Sequence, residues 1–329
     1  MNNQNDNRYS SGQRRMQPQN SARTVSSRQQ RSPGSGQRRP TASSGGGTSR
    51  RPYQPSNRSH HRRRRRTSPA AVVLTVLCAA LALVLLTILI VLACGFRYEK
   101  RQLPGDSVVK FFGKIDSSGS PSSGKLFYED GTTAQVDMQK GTVVYSNGNV
   151  YEGKLTELMR SGKGKMTYPN GDIYEGDFLN DALTGFGKFT FANGDTYEGE
   201  LLNGKKNGNG TYTWKDGSVY TGAWENDQRN GTGFYAASDG ATYQGDYKND
   251  LKNGTGTYTW ASGDVYTGEF VNSVRTGEGT YTWTSGDTYV GHFENNMMNG
   301  QGTYTWASGR TYTGTFENGK IVRTSSSAE

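Results

Sequence analysis

Cysteine and histidine are scarce in this 329-residue chain. Its two cysteines, Cys78 and Cys94, both lie in one long apolar run, and the large segment after that run has none. That segment therefore cannot be stabilised by disulfides. It holds a single histidine, His292. Without cysteine or a second histidine it offers no zinc ligands at a recognisable spacing and no Cys–His nucleophile pair. Lysine is absent from residues 1–69, which carry 16 Arg and one acid, Asp6. Residues 97–329 carry 22 Lys+Arg against 28 Asp+Glu, and residues 70–96 carry no charge at all. The net charge of +9 thus belongs to the first segment alone, while the last is mildly acidic and unsuited to a nucleic-acid footprint.

Three segments follow from these shifts. Residues 1–69 are rich in Ser, Gln, Arg, Asn, Gly and Pro and show no apolar period. Such a stretch cannot bury enough surface to offset its conformational entropy, so a disordered tail is expected, ending in the run Arg62 to Arg66. Residues 70–96 are uncharged and mostly apolar, longer than the roughly 20 residues a helix needs to cross a bilayer, and predict a transmembrane helix. The five arginines before it outweigh Arg97, Lys100 and Arg101 after it. The positive-inside rule then places the N-terminus in the cytoplasm and the large segment outside, as a single-pass membrane protein. A cleaved signal peptide is not expected with so long a polar tail ahead of the apolar run. Val91 to Cys94 faintly resembles a lipoprotein cleavage box, and the long preceding tail argues against that reading too. Residues 97–127 read as a linker and degenerate cap with one short strand candidate, Val108 to Phe112.

What is abundant is a repeat. Tyrosine recurs at a constant interval, without insertion or deletion, at Tyr151, Tyr174, Tyr197, Tyr220, Tyr243, Tyr266, Tyr289 and Tyr312. Each is followed two positions later by glycine: Gly153, Gly176, Gly199, Gly222, Gly245, Gly268, Gly291 and Gly314. Asn comes two residues beyond the fifth position in every copy but the first, where Glu157 stands. A Gly-x-Gly pair follows, then a second aromatic pair such as Tyr258/Trp260 or Tyr281/Trp283, then a turn such as Asn170-Gly171-Asp172. Alternation with period two means strands, with Tyr, Gly and the fifth-position aromatic on one face and positions two and four facing water. The inward glycine leaves room for a neighbouring ring. Asn-Gly, Asp-Gly and Ser-Gly supply the positive φ of tight turns. One repeat is one hairpin, unable to stand alone, so neighbours must stack into an elongated single-layer antiparallel sheet. Seven to eight repeats at about 4.8 Å per strand predict a sheet on the order of 70 Å long.

The pattern Tyr-x-Gly-x-[Trp/Phe/Tyr/Leu]-x-Asn-x4-Gly-x-Gly-x-[Tyr/Phe]-x4-Gly resembles the MORN (membrane occupation and recognition nexus) repeat, strongly over 151–319 and weakly over 128–150. Tyr128 would open a degenerate copy in which Asp130 replaces the glycine, giving an array over 128–319 and a disordered tail over 320–329. The resemblance implies a non-enzymatic scaffold for protein docking or self-association. It implies no catalytic, cofactor-binding or metal-ligating residue. The residues agree. Acids recur uniformly in the closing turns (Asp172, Asp195, Asp264, Asp287) instead of forming one tuned pair. The Gly-x-Gly pairs precede strands and are not phosphate loops. With only a short stretch after the last repeat, no catalytic domain is expected. Trp214, Trp260, Trp283 and Trp306 are the candidate interaction residues. They are expected either to pack as core or to stack on a glycan or cell-surface polymer, one site per repeat. Lipid binding by the array is disfavoured by its acidic balance.

Overall fold

The computed structural model describes residues 68–103 and 108–323. The tail expected over 1–69, with Arg62 to Arg66, therefore lies almost wholly outside the described residues, as do residues 324–329.

Helix α1 spans Pro69–Ala93. Ser68 caps it through its side chain, which accepts from the N–H of Ala71, and Pro69 stands where a helix tolerates a missing N–H. The helix ends before the apolar run does. The Cys94 N–H turns back to Ile90 O and Gly95 adopts a φ of +82°, so Phe96 already begins a strand. None of its 25 residues is buried.

Beyond the helix the chain is one antiparallel meander. Twenty-one strands are found among the described residues, and each pairs with the next in sequence. The repeat period resolves into four parts: a seven-residue strand such as Ile173–Leu179, a two-residue turn, a nine-residue strand such as Ala182–Thr190, and a five-residue loop. The turn explains the recurrent Asn. Asn180 and Asp181 both have positive φ (49° and 69°), the geometry of the two-residue hairpin turn whose twist matches its strands. Asn tolerates that conformation better than other side chains. In the first copy Glu157 and Leu158 adopt it without that advantage.

The unequal strand lengths are absorbed by a bulge. Gly176 pairs with Gly187, but Phe178 pairs with Leu183, so the longer strand carries two extra residues between them. Gly185 sits there with φ +72°. The bulge frees the Phe186 N–H, which donates to the carboxylate of Asp177 at 3.2 Å. Glu200, Asp246 and Glu269 accept equivalent bonds, so the acids of the fourth position are not merely solvated.

The two glycines of the Gly-x-Gly pair thus differ in duty. Gly185 serves the bulge. Gly187 faces Gly176 across the ladder, and the ring of Tyr174 lies flat over both. The ring filling the glycine's space is therefore the tyrosine of the same strand, not a neighbour's. Its hydroxyl donates to Asp177 O at 3.0 Å, and six other copies repeat this bond to the residue three places on.

The first strands depart from expectation. The stretch read as a linker forms β1 (Phe96–Gln102), β2 (Val108–Ile115) and β3 (Pro121–Phe127), which continue the same sheet into β4 (Thr133–Asp137) and β5 (Thr142–Tyr145). Phe111 is fully buried over Gly113 and Gly124, the position tyrosine holds elsewhere. Tyr128 does not open a repeat. It lies in the loop after β3, its N–H on Thr132 O, as Tyr168 lies in a closing loop with its N–H on Asp172 O. At the far end, Lys320–Ile321 form a short strand against Phe316 and Glu317, so the array continues into residues expected as tail.

Candidate docking face

The sheet has two unlike faces. On one, the tyrosines named from the sequence form the core. Tyr151, Tyr174, Tyr197, Tyr220, Tyr243, Tyr266 and Tyr289 are completely buried, each edge-on to the fifth-position ring of its own or the next copy. Such edge-to-face pairs add to plain area burial. Tyr312 is only half-buried, because no nine-residue strand follows it, and its hydroxyl donates to Val322 O. The eight partner glycines, Gly153 to Gly314, each face another glycine across a ladder, forming a spine over which the rings lie.

Beside this spine runs a second row whose rings are half-buried. Tyr258, Trp260, Tyr281, Trp283, Tyr304 and Trp306 make an unbroken ladder, with successive centroids 4.4–5.3 Å apart. Trp214 belongs to a shorter run with Tyr212 and Tyr235. All four tryptophans singled out in the sequence therefore lie on one face, and the structure chains three of them together. Ala237 in the fourth copy interrupts the row between the two runs.

Sequence reasoning missed a row of cations. Arg160, Lys206, Arg229, Lys252 and Arg275 recur two residues past the short turn and lie over the rings. Arg229 is 5.0 Å from the Tyr247 ring and also ties two repeats together. Its Nε donates to Asp250 Oδ1 at 3.2 Å and its Nη2 to Asp250 O at 2.9 Å. Arg160 does the same with Asp181. Burial pushes the Lys206 ammonium pKa down, and Asp227 and Asp250 pull it back up. The signal was present as a basic residue in step with tyrosine in five copies, but the stronger aromatic period masked it.

The closing-turn acids have structural partners. Asp287 accepts the Ala307 N–H at 2.8 Å and the Tyr304 hydroxyl at 2.8 Å, stapling one closing loop to the next. Those two donors hold its carboxyl below the usual range. Asp172, Asp195 and Asp264 are bonded to the following loop in the same way. No group of three His, Cys, Asp or Glu converges among the described residues. His292 is on the other face, 3.2 Å from Glu278.

The MORN repeat model matches seven successive blocks, 151–173, 174–196, 197–219, 220–242, 243–265, 266–288 and 289–309. Residues 151–309, just under half of the chain, thus match the MORN repeat. Each block opens on the second residue of a seven-residue strand, and the cryptic hairpin around Phe111 falls outside the blocks. No curated protein matches the chain. Among solved structures, the chain is similar to the TCP domain of Drosophila melanogaster SAS-4 (dCPAP) in complex with a proline-rich motif of Ana2 (dSTIL). There the identity is 15%, the TM-score 0.32, and coverage 47% of this chain and 84% of that one. It is also similar to the TCP10 domain of Danio rerio CPAP in complex with a STIL peptide, at 14% identity and TM-score 0.29, covering 66% and 93%. Overlays at these scores establish no shared fold. The geometry of the array shows what it can offer: a row of ring faces, continuous from Tyr258 to Trp306, edged by cations.

Proposed function

We propose that the chain is a membrane-anchored docking scaffold whose half-buried Tyr–Trp ladder receives a protein partner. The ladder from Tyr258 to Trp306 carries this reading. Rings already stacked at fixed spacing lose little conformational freedom on binding, and aromatic residues dominate binding energetics at protein interfaces. Helix α1 supports the anchor. At about 1.5 Å per residue it is some 37 Å long, enough for the roughly 30 Å hydrocarbon core, and none of the described residues covers its apolar surface. The excess of arginine before it supports an outward-facing array.

Two experiments test the reading. Protease added to intact cells should remove a tag placed after Glu329, and protection of the tag would move the array to the cytoplasm. A photo-crosslinking residue at position 283 should yield discrete protein adducts that the same residue at position 257, on the opposite face, does not. Adducts at 257 but not at 260, 283 or 306 would refute docking on the ladder. A glycan partner has one specific observation behind it. The ring of Trp283 sits between Tyr281 (4.4 Å) and Tyr304 (5.3 Å), half-buried, in the manner of a platform for sugar rings. Retention on cell-surface polysaccharide, lost in Trp260→Ala/Trp283→Ala with the sheet intact, would favour that partner.

A further inference from the structure

The strands ahead of the MORN repeats carry a surface the repeats do not. On the outward face of β1–β3, register places Phe96 opposite Lys114, Tyr98 opposite Phe112, and Lys100 opposite Lys110, with Lys125 beside Phe112 and Phe127 beside Lys110. Four lysines and four aromatic rings therefore share one face. Lys114 lies over the Phe96 ring at 5.8 Å, and Lys125 over the Phe127 ring at 5.4 Å. No carboxylate stands on that face of these three strands. Glu99 is on the opposite side, held by Arg101 at 2.8 Å. On the repeats, by contrast, the outward face mixes Lys163 and Lys165 with Asp177 and Glu175.

The patch begins where the apolar helix ends. Only Cys94 and Gly95 separate α1 from β1, and Arg97 Nη1 donates back to Leu92 O at 2.8 Å. Lys114 pairs with the first residue of β1 and Lys110 with the fifth, so every one of the four lysines is within about 13 Å of the first residue of β1. That is within about two Debye lengths at physiological salt, each about 8 Å, and long lysine side chains shorten the gap. Tyr98, largely exposed, suits the headgroup boundary, where the amphipathic rings of Tyr and Trp collect, and Phe112 beside it is also exposed.

We infer that the outward face of β1–β3 docks on the anionic headgroups of the leaflet from which α1 emerges, fixing the base of the array against the membrane. The inference rests on α1 spanning the bilayer. The test uses the full chain in lipid nanodiscs, made either of phosphatidylcholine alone or of phosphatidylcholine mixed with phosphatidylglycerol. Lysine reactivity toward an amine-acylating reagent is read residue by residue by mass spectrometry. In the mixed discs, Lys100, Lys110, Lys114 and Lys125 should react more slowly, by about fivefold for each residue drawn to the surface, while Lys188 and Lys248 in the repeats stay unchanged. High salt should abolish the difference. Lys110→Gln/Lys114→Gln/Lys125→Gln should remove it at Lys100. Equal reactivity in the two lipids, or protection shared by the repeat lysines, would overturn the inference. If alkaline carbonate strips the chain from the discs, the spanning reading itself has failed, which is a separate result.

Discussion

Alanine at position 187 tests the central packing device of the array. A Cβ built on Gly187 would sit 2.5 Å from Tyr174 Oη and 2.6 Å from its Cζ, where contact between carbons is comfortable only near 3.5–4.0 Å. The ring must therefore yield by about 1 Å. It has nowhere to go: it is fully buried, packed against Phe178 and Phe189, and tethered by its hydroxyl to Asp177 O. Overpacking costs about 1–3 kcal/mol, and losing the tether adds about 1 kcal/mol, for a total of roughly 2–4 kcal/mol. Gly217→Ala is the control. Its Cβ meets nothing, so only the left-handed backbone (φ +91°) is penalised, by about 1–2 kcal/mol. Amide exchange of the full chain, read over residues 174–190, should show Gly187→Ala opening about 30- to 1,000-fold more readily. In a Tyr174→Leu background the same change should cost under about 1 kcal/mol, because the obstructing ring is gone. An equal cost in both backgrounds would refute the ring as the reason and leave the close approach of the glycine backbones instead.

Three further outcomes are expected. Burial raises the phenols of Tyr220, Tyr266 and Tyr289 to about 12, against about 10 in an unfolded chain. The folded state keeps protons that the unfolded state releases, so this stability is complete below pH 10. It is lost as pH climbs toward 12, at no more than about 1.4 kcal/mol per unit for each ring. Phenolate absorbance should thus rise together with loss of sheet signal, and titration near 10 with the sheet intact would contradict the burial argument. Glu157→Asn should stabilise the first hairpin by about 0.5–1 kcal/mol, since Asn accepts the φ of 51° found there, and an unchanged or lower melting point would count against turn strain. Arg229→Lys should lower stability by about 1–2 kcal/mol despite keeping the charge, because an ammonium cannot bridge both Asp250 oxygens while lying over Tyr247. Denaturation indistinguishable from the parent would show that the fork contributes nothing.

The repeated hairpins were legible because a fixed period needs no knowledge of distant contacts. Tyr174 and Gly176 announce an inward face, and Asn170-Gly171 and Asn180 announce the two ends of the strands. Phe111 was not legible. The next copy of its position is Ala134, one full period on, but the one after, Tyr151, comes early, because β5 is cut to four residues. Counting back from Tyr151 by one period therefore lands on Tyr128, an aromatic residue of the wrong role. The bulge was also hidden, because Gly185 and Gly187 look alike in sequence and only register separates them. The bonds from Arg160 to Asp181 and from Arg229 to Asp250 were hidden for a related reason: partners in different hairpins leave no local pattern. The tryptophan row was visible as composition, but that Trp260, Trp283 and Trp306 form one ladder and Trp214 does not depends on how neighbouring hairpins stack.

Because every strand pairs only with its neighbours in sequence, no contact anywhere in the sheet waits for a distant part of the chain. Hairpins can close one after another as the polypeptide emerges, the fast, local regime of folding. The same wiring governs failure. Pulled from its two ends, such a meander has no clasp joining first strand to last, so tension peels hairpins singly from an end. Each released repeat would let out roughly 75–80 Å of extended chain. A partner held at the far end of the array would be on a line that lengthens in steps under load and rewinds when the load falls.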